Sequence, residues 1–226
     1  MTSSGESSID IDYYCTYLTE TNGIEWTNEN YQAMNMVKAI KGSDYKGYIS
    51  IMINGVEKRI YSENASEFSK RSHQPLAKII SNKYGDGVTI VPIPSSKTTK
   101  QNCDKFITRY MAERAAKVIG GGCKCAPILV FKEEMPSSRS GGNRSPYFIE
   151  SQLIITGETK LPIILLDDVM TLGGHLKAAC WKLQSDGMKV IGAVTFARTV
   201  KDNSLAAFGP HTEKLDVSKT PTLWDF

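Results

Sequence analysis

Residues 161–183 read LPIILLDDVMTLGGHLKAACWKL, and they carry the strongest pattern in the chain. The apolar start predicts a buried strand over Ile163–Asp167, because consecutive large aliphatic residues are typical of a strand covered on both faces. A short turn follows. Gly173-Gly174 then opens a segment whose apolar residues recur at helical spacing, namely Leu176, Ala179, Cys180 and Leu183. The stretch therefore predicts a strand, a turn and a helix in direct succession.

Two adjacent acids, Asp167 and Asp168, end the predicted strand. Paired carboxylates can accept hydrogen bonds from the vicinal hydroxyls of a ribose, or they can hold a hydrated magnesium ion. Gly173 and Gly174 let backbone N–H groups approach an anion, and the start of a helix adds about half a positive charge. The combination suits a ribose 5-phosphate. The competing interpretation is a plain strand-to-helix turn in which the aspartates only cap and the glycines only turn.

Strands and helices alternate on both sides of this stretch. The β-rich runs are Val88–Ile93, Pro127–Phe131 and Lys189–Ala197, and the helical ones are Ser66–Tyr84 and Asn102–Ile119. Residues 132–145 look like a loop, and Tyr147–Ile155 is interpreted as an edge strand. Alternation of this kind predicts an α/β fold in which helices cover both faces of a parallel sheet.

The first third of the chain has a different pattern. Thr27 is a predicted N-cap for a helix over Asn28–Lys41, and Asn54-Gly55 lies between two β-rich runs within Gly47–Tyr61, which predicts a hairpin. Residues 201–226 show no clear period. We therefore expect an N-terminal extension (1–62), a core (63–200) and a C-terminal tail (201–226).

Two further segments offer side chains to a ligand. Residues 94–100 follow a predicted strand and contain Ser95, Ser96 and Lys97, whose hydroxyls and charge suit an anion, although a solvated polar loop has the same composition. Arg139 and Arg144 flank Gly141-Gly142, a composition suited to a hinged lid or to an ordinary surface loop.

Composition narrows the class of protein. The chain has 226 residues, of which 41% are hydrophobic and 23% charged, and its net charge is +3, which is too small to favour a nucleic-acid binder. No apolar run is long enough for a membrane span, the N-terminus lacks the features of a secretory signal, and five scattered cysteines predict no disulfide framework. A cytoplasmic protein without membrane contact is the expectation.

Positive charge is concentrated in one part of the chain. Residues 58–117 contain twelve Lys and Arg against five acids, whereas residues 1–30 contain six acids and no Lys or Arg. Such a basic stretch is either a solvated surface or a site for a polyanion.

Residues 163–175 resemble the phosphoribosyl-pyrophosphate (PRPP) signature of the type I phosphoribosyltransferases, in which an apolar strand, two acids and a Thr-Thr-Gly-Gly loop follow one another. Residues 91–97 (VPIPSSK) resemble that family's pyrophosphate loop, residues 139–144 fall where it has a mobile catalytic loop, and residues 193–199 (AVTFART) resemble its ComF-like branch. The resemblance covers roughly residues 75–200.

The resemblance implies a role for each segment. Asp167 and Asp168 would orient the ribose and hold Mg²⁺ indirectly, through ribose hydroxyls or water, while Arg139 and Arg144 would close over the reacting centre. The 5-phosphate would lie against Thr171, Leu172, Gly173, Gly174 and His175, and the pyrophosphate against Ser95, Ser96 and Lys97. Leu172 and His175 depart from the family, which has hydroxyl side chains at these two positions. The imidazole of His175 can replace one of the two lost hydrogen-bond donors to the 5-phosphate.

The expected function is binding of PRPP or a related ribose phosphate with magnesium, with transfer of the phosphoribosyl group to a nucleobase or other nitrogenous acceptor and release of pyrophosphate. The alternative is a non-catalytic nucleotide sensor that presents residues 1–62 to a protein partner, which the altered phosphate loop favours. A homodimer is left open, and nucleic acid is the least favoured partner.

Overall fold

The computed structural model describes residues 7–19, 23–136 and 145–219. Strands in this part of the chain are β1 (Ser8–Leu18), β2 (Tyr48–Ile53), β3 (Val56–Tyr61), β4 (Thr89–Pro92), β5 (Lys124–Cys125), β6 (Leu129–Phe131), β7 (Leu153–Ile155), β8 (Ile163–Met170), β9 (Val190–Val200) and β10 (Phe208–Asp216). Helices are α1 (Asn28–Ile40), α2 (Ala65–Ser69), α3 (His73–Tyr84), α4 (Ile107–Ile119), α5 (Pro146–Gln152) and α6 (Gly174–Ser185). No helix among these described residues has the length and apolar character that a membrane span requires.

A six-stranded sheet organises the chain, in the order β10-β1-β9-β8-β4-β5. Five of its strands run parallel, and only β10 is antiparallel to its neighbour, β1. The predicted α/β class with a mainly parallel sheet is confirmed. Because the carboxyl ends of β1, β9, β8 and β4 lie at the same edge of the sheet, the segments that follow these strands are brought together there.

Both faces of the sheet are buried, which explains the uninterrupted apolar run of β8. Ile164 and Leu166 pack into a core that includes side chains of α1, α3 and α4. Ile163 and Leu165 point to the opposite face and pack with side chains of α5 and α6. Since successive strand residues alternate between faces, each face receives its own aliphatic pair.

The predicted helix and hairpin of the first third are confirmed. Asn30 N–H donates to Thr27 Oγ1 (3.3 Å) and Thr27 N–H donates to Asn30 Oδ1 (2.9 Å), so the two residues cap the start of α1 reciprocally. In the hairpin of β2 and β3, Asn54 and Gly55 both have positive φ, 51° and 79°. Two such residues in succession form the type of turn whose twist matches that of the strands.

The structure differs from the predicted extension and tail at both ends of the chain. β1 lies inside the central sheet, parallel to β9, and β10 adds to its edge, antiparallel to β1. Ile9 and Ile11 of β1 are almost fully buried, at 2% and 0% exposure. The extension and the tail therefore each contribute a strand to the sheet of the core.

Residues 147–155 also differ from the predicted edge strand. Pro146–Gln152 forms helix α5, and only Leu153–Ile155 is extended, paired antiparallel with β6. Proline at the first helical position favours a helix start, and Ile149 buries its side chain on the α6 side of the sheet. The burial of this short helix therefore outweighs the β-propensity of its aromatic residues.

Gly192→Ala is expected to destabilise the fold by about 1–3 kcal/mol, because a Cβ on Gly192 of β9 would lie 2.4 Å from the hydroxyl oxygen of Tyr84. Tyr84 cannot easily retreat, since its hydroxyl donates to the buried Asp12 (2.7 Å). Urea denaturation of the single and double variants measures the effect. In a Tyr84→Ala background the same change should cost little, and an equal cost in both backgrounds would contradict the steric explanation.

Candidate functional site

A cavity of about 700 Å³ lies at the carboxyl edge of the parallel strands, a volume in the range of small-molecule sites. The carboxyl ends of β1, β8 and β9 line it, together with the segments after β4 and β8 and the end of α1. The lining residues are Tyr17, Thr19, Val37, Lys38, Lys41, Ser43, Ile93, Pro94, Ser95, Ser96, Asp167, Asp168, Val169, Thr171, Leu172, Gly174, His175 and Thr199.

The acid pair lies within the last four residues of β8, where the strand still pairs with β9. The backbone N–H of Asp168 donates to Asp167 Oδ1 (2.8 Å), and that of Val169 donates to Asp168 Oδ1 (2.6 Å). Each carboxylate thus has one oxygen held by the backbone. Both side chains line the cavity, so a ligand there can reach both acids. A ligand at Asp168 Oδ2 would compete with the ammonium of Lys41, which lies 3.0 Å from that oxygen.

Burial raises the pKa of Asp167 to about 8, and the neighbouring charge of Asp168 acts in the same direction. The backbone N–H of Asp168 and the ammonium of Lys41 act in the opposite direction but do not cancel the rise. Without a ligand, burial and the charge of Asp168 therefore favour the protonated form of Asp167. A ligand that supplies positive charge or hydroxyl donors would favour its ionised form.

Lys41 connects the N-terminal helix to this pair. Its Nζ lies 3.0 Å from Asp168 Oδ2, and the two side chains are 35% and 16% exposed. Strand alternation places Asp168 on the same face as Ile164 and Leu166, which is the face covered by α1. The partner of Asp168 thus comes from residues 1–62, which sequence analysis had set apart from the site.

The loop between β8 and α6 surrounds the other side of the cavity. Gly173 precedes α6 with a left-handed backbone (φ 75°), a conformation that strongly favours glycine. Gly174 begins the 12-residue helix, and His175 follows at the cavity wall. The Leu172 side chain is 84% exposed. The backbone of this loop is thus arranged as a helix start that faces an open cavity.

Arg198 of β9 holds this loop from outside the cavity. Its guanidinium donates to the carbonyls of Thr171 and Thr199, and its Nε donates to Glu213 Oε1 of β10 (2.9 Å). Thr199 Oγ1 adds a hydrogen bond to the carbonyl of Met170 (3.2 Å). The edge strand β10 therefore stabilises the loop through one ion pair.

The segment after β4 forms a compact turn. Thr98 N–H donates to the carbonyl of Ser95 (2.8 Å), and the hydroxyls of the same two residues lie 2.8 Å apart. Ser95 and Ser96 line the cavity, whereas Lys97 is exposed and does not. Ser95 and Ser96 therefore lie at the same cavity as the acid pair, and Lys97 lies outside its lining.

The structure brings most of the predicted site residues to one place: Asp167, Asp168, Thr171, Leu172, Gly174, His175, Ser95 and Ser96. Two neighbours of Gly173 line the cavity but Gly173 itself does not, and Lys97 is also outside the lining. Arg139 and Arg144 lie outside the described residues. The roles of all these residues stay predictions.

Sequence reasoning missed the lining residues Tyr17, Thr19, Lys38, Lys41 and Thr199. An alternating pattern in residues 8–18 (SIDIDYYCTYL) could have revealed β1 and hence Tyr17. No local motif marks Lys38 or Lys41.

Among the residues that the structure describes, Asp167 and Asp168 supply the only carboxylates that line the cavity, and no group of three or more His, Cys, Asp or Glu side chains could hold a metal ion. Magnesium commonly binds through one or two carboxylates together with waters and phosphate oxygens. The donor set therefore fits a magnesium ion that is held jointly with a phosphorylated ligand.

Comparison with known family models finds no match, and comparison with curated proteins finds none either. Among solved structures, the chain is similar to the orotate phosphoribosyltransferase of Mycobacterium tuberculosis (TM-score 0.34, 11% identity, 75% of this chain and 94% of that one). A structure of that enzyme with inorganic phosphate gives a TM-score of 0.31 at 15% identity, with 75% of this chain and 94% of that one covered. The adenine phosphoribosyltransferase of Leishmania donovani gives 0.35 at 9% identity, with 76% and 86% covered.

Proposed function

We propose that this chain is a phosphoribosyltransferase of the type I fold, and that its cavity binds PRPP or a related ribose phosphate together with magnesium. One observation carries the proposal: the acid pair of β8 and the glycine-led start of α6 line the same cavity. Hydroxyl acceptors beside a phosphate cradle are what a ribose 5-phosphate requires. The motif resemblance of residues 163–175 supports the same ligand.

Each part of the site has a proposed task. Asp167 and Asp168 accept hydrogen bonds from the ribose hydroxyls and fix the sugar. Backbone N–H groups at the start of α6, with Thr171 and His175, bind the 5-phosphate. Ser95 and Ser96 bind the pyrophosphate from the other side of the cavity. A bound magnesium ion supplies positive charge next to the pyrophosphate.

In the proposed reaction, the bond between C1 of the ribose and the pyrophosphate oxygen breaks, and a bond from C1 to an acceptor nitrogen forms. Pyrophosphate leaves with the bonding electron pair, and the acceptor nitrogen loses its proton to solvent. C1 acquires positive charge on the way, which the nearby carboxylates of Asp167 and Asp168 stabilise. Arg139 and Arg144 are proposed to cover the reacting centre.

A second candidate function is that of a nucleotide sensor without catalysis. Leu172 stands where the family has a hydroxyl side chain, and its side chain is 84% exposed. Lys41 of the N-terminal helix already occupies Asp168, so a ligand at the acid pair would change a contact of α1. Such a contact can pass ligand binding to a protein partner that docks on residues 1–62.

PRPP with magnesium is expected to stabilise the protein against heat. At about 100 times its dissociation constant, a ligand that binds only the folded state adds roughly 2.7 kcal/mol, which for a chain of this size raises Tm by about 5–10 °C. Thermal melts with PRPP and magnesium, and with magnesium alone as the control, measure the shift. No shift at millimolar PRPP would contradict the proposed ligand.

Release of pyrophosphate separates the two candidates. Incubation with PRPP, magnesium and a panel of nucleobases is expected to release pyrophosphate with at least one acceptor. A thermal shift without release from any acceptor would favour the sensor.

A further inference from the structure

A second cavity, of about 520 Å³, lies where α2 ends, α3 begins and α4 passes alongside. It is lined by Glu67, Lys70, Arg71, His73, Gln74 and Arg114, and it shares no lining residue with the candidate active site. All six belong to the basic stretch 58–117, in which the proposed phosphoribosyl transfer assigns a role only to Ser95 and Ser96.

The charges of this cavity are unbalanced. Lys70, Arg71 and Arg114 form no ion pair with any carboxylate in the described part of the chain. Glu67, the one acid in the lining, is engaged by Lys58, whose hydrogen bond lowers the pKa of that carboxyl, and the charges of Arg71 and Lys70 lower it further. Three cations therefore face the cavity, and the single carboxylate among them already has a partner.

His73 adds a buried polar group to the same wall. Its side chain is 7% exposed, and its Nδ1 forms no hydrogen bond of ordinary geometry with the described residues. Burial lowers the pKa of His73, and the charge of Arg114 lowers it further. Burial and the neighbouring cations thus disfavour the charged form of the imidazole, so a negative charge brought near them would raise its pKa.

We propose that this basic cavity, made by Lys70, Arg71, His73 and Arg114, binds a small phosphorylated anion that carries two or more negative charges. Guanidinium groups suit phosphate because their planar fork can donate two parallel hydrogen bonds. The 12-residue helix α3 begins at this wall without a side-chain cap, so its positive end adds to the field. The cationic lining is confined to one pocket, which fits a compact anion better than an extended strand of nucleic acid.

The three histidines of the chain allow a direct test by proton NMR. His73 reports on the basic cavity, His175 on the candidate active site, and His211, stacked on Tyr13 at 5.0 Å, lies in the lining of neither. Their ring resonances can be assigned from His175→Asn and His211→Asn. Titration with inorganic tripolyphosphate in magnesium-free buffer is expected to shift the His73 resonance in a saturable way. Movement of the His175 resonance alone would overturn the proposal.

Matched variants test which cations are responsible. Arg71→Gln with Arg114→Gln removes two charges from the cavity, and Lys78→Gln with Lys117→Gln removes two exposed charges of α3 and α4 that lie outside its lining. The first pair is expected to weaken the His73-detected affinity at least about tenfold, and the second less than about twofold. Equal losses in both pairs would mean a diffuse charge effect and would overturn the proposal.

An oligonucleotide provides the last comparison. A single-stranded 10-mer should shift His73 no more strongly than tripolyphosphate does at equal phosphate concentration. A response of His73 to the oligonucleotide but not to tripolyphosphate would assign the surface to nucleic acid and refute the small-anion site. Because His175 is monitored in the same spectra, failure of this site is distinguishable from failure of the proposed PRPP site.

Discussion

Asp167→Asn combined with Asp168→Asn is expected to abolish the thermal shift caused by PRPP and magnesium. Each carboxylate that accepts a hydroxyl hydrogen bond contributes about 1.5 kcal/mol or more, so loss of both weakens binding by about a hundredfold or more. The amides keep the shape of the side chains but lose the charge. Calorimetric titration of the wild type and the double variant with PRPP measures the change directly.

The folded state should survive this double substitution. Asp167 is a carboxyl whose charged form is disfavoured by burial, and Asp168 has one ion pair, to the 35%-exposed Lys41. Removal of both acids should therefore leave the circular dichroism spectrum unchanged, and the unliganded Tm at neutral pH should be no lower than that of the wild type. Asp104→Asn with Asp186→Asn, two exposed acids outside the cavity, is the matched control and should bind PRPP normally. Normal PRPP binding by the Asp167/Asp168 variant would mean that the two acids do not contact the ligand and serve only the local backbone structure.

Asp167→Asn alone is expected to change how stability depends on pH. The ordinary pKa of an aspartate is about 3.9, whereas burial and the charge of Asp168 raise that of Asp167 to about 8 in the folded state. Between these values the unfolded chain releases a proton that the folded protein retains. The wild type should therefore lose up to about 1.4 kcal/mol of stability per pH unit from this group between about pH 4 and pH 8.

Urea denaturation in metal-free buffer at several pH values between about 5 and 8 tests this expectation. The variant has no carboxyl at this position, so its advantage over the wild type should grow with pH and level off once Asp167 is ionised in both states. Asp104→Asn, which changes an exposed acid, should give a curve parallel to that of the wild type. If the curves of Asp167→Asn and the wild type were parallel as well, Asp167 would be an ordinary, ionised surface acid.

Local sequence patterns predicted the structure correctly where the residues of a short segment are enough to fix its conformation. The aliphatic run of β8 predicted a strand buried on both faces, Thr27 predicted the start of α1, and Asn54-Gly55 predicted the turn between β2 and β3. The same patterns failed for residues 146–152, where burial of Ile149 on the α6 side of the sheet decides in favour of a helix. They also missed β10, because an edge strand with one exposed face has little apolar signal.

The sequence by itself determined the parallel α/β class and the position of an acid pair near the end of a buried strand, since both depend on residues that are neighbours in the chain. Only the tertiary structure decided what surrounds that chemistry. Lys41 meets Asp168 across 127 positions of sequence, and Glu213 stabilises Arg198, which holds the loop at Thr171. Contacts of this kind arise because the parallel sheet brings the carboxyl ends of distant strands to one edge, and no local pattern records which distant side chains meet there.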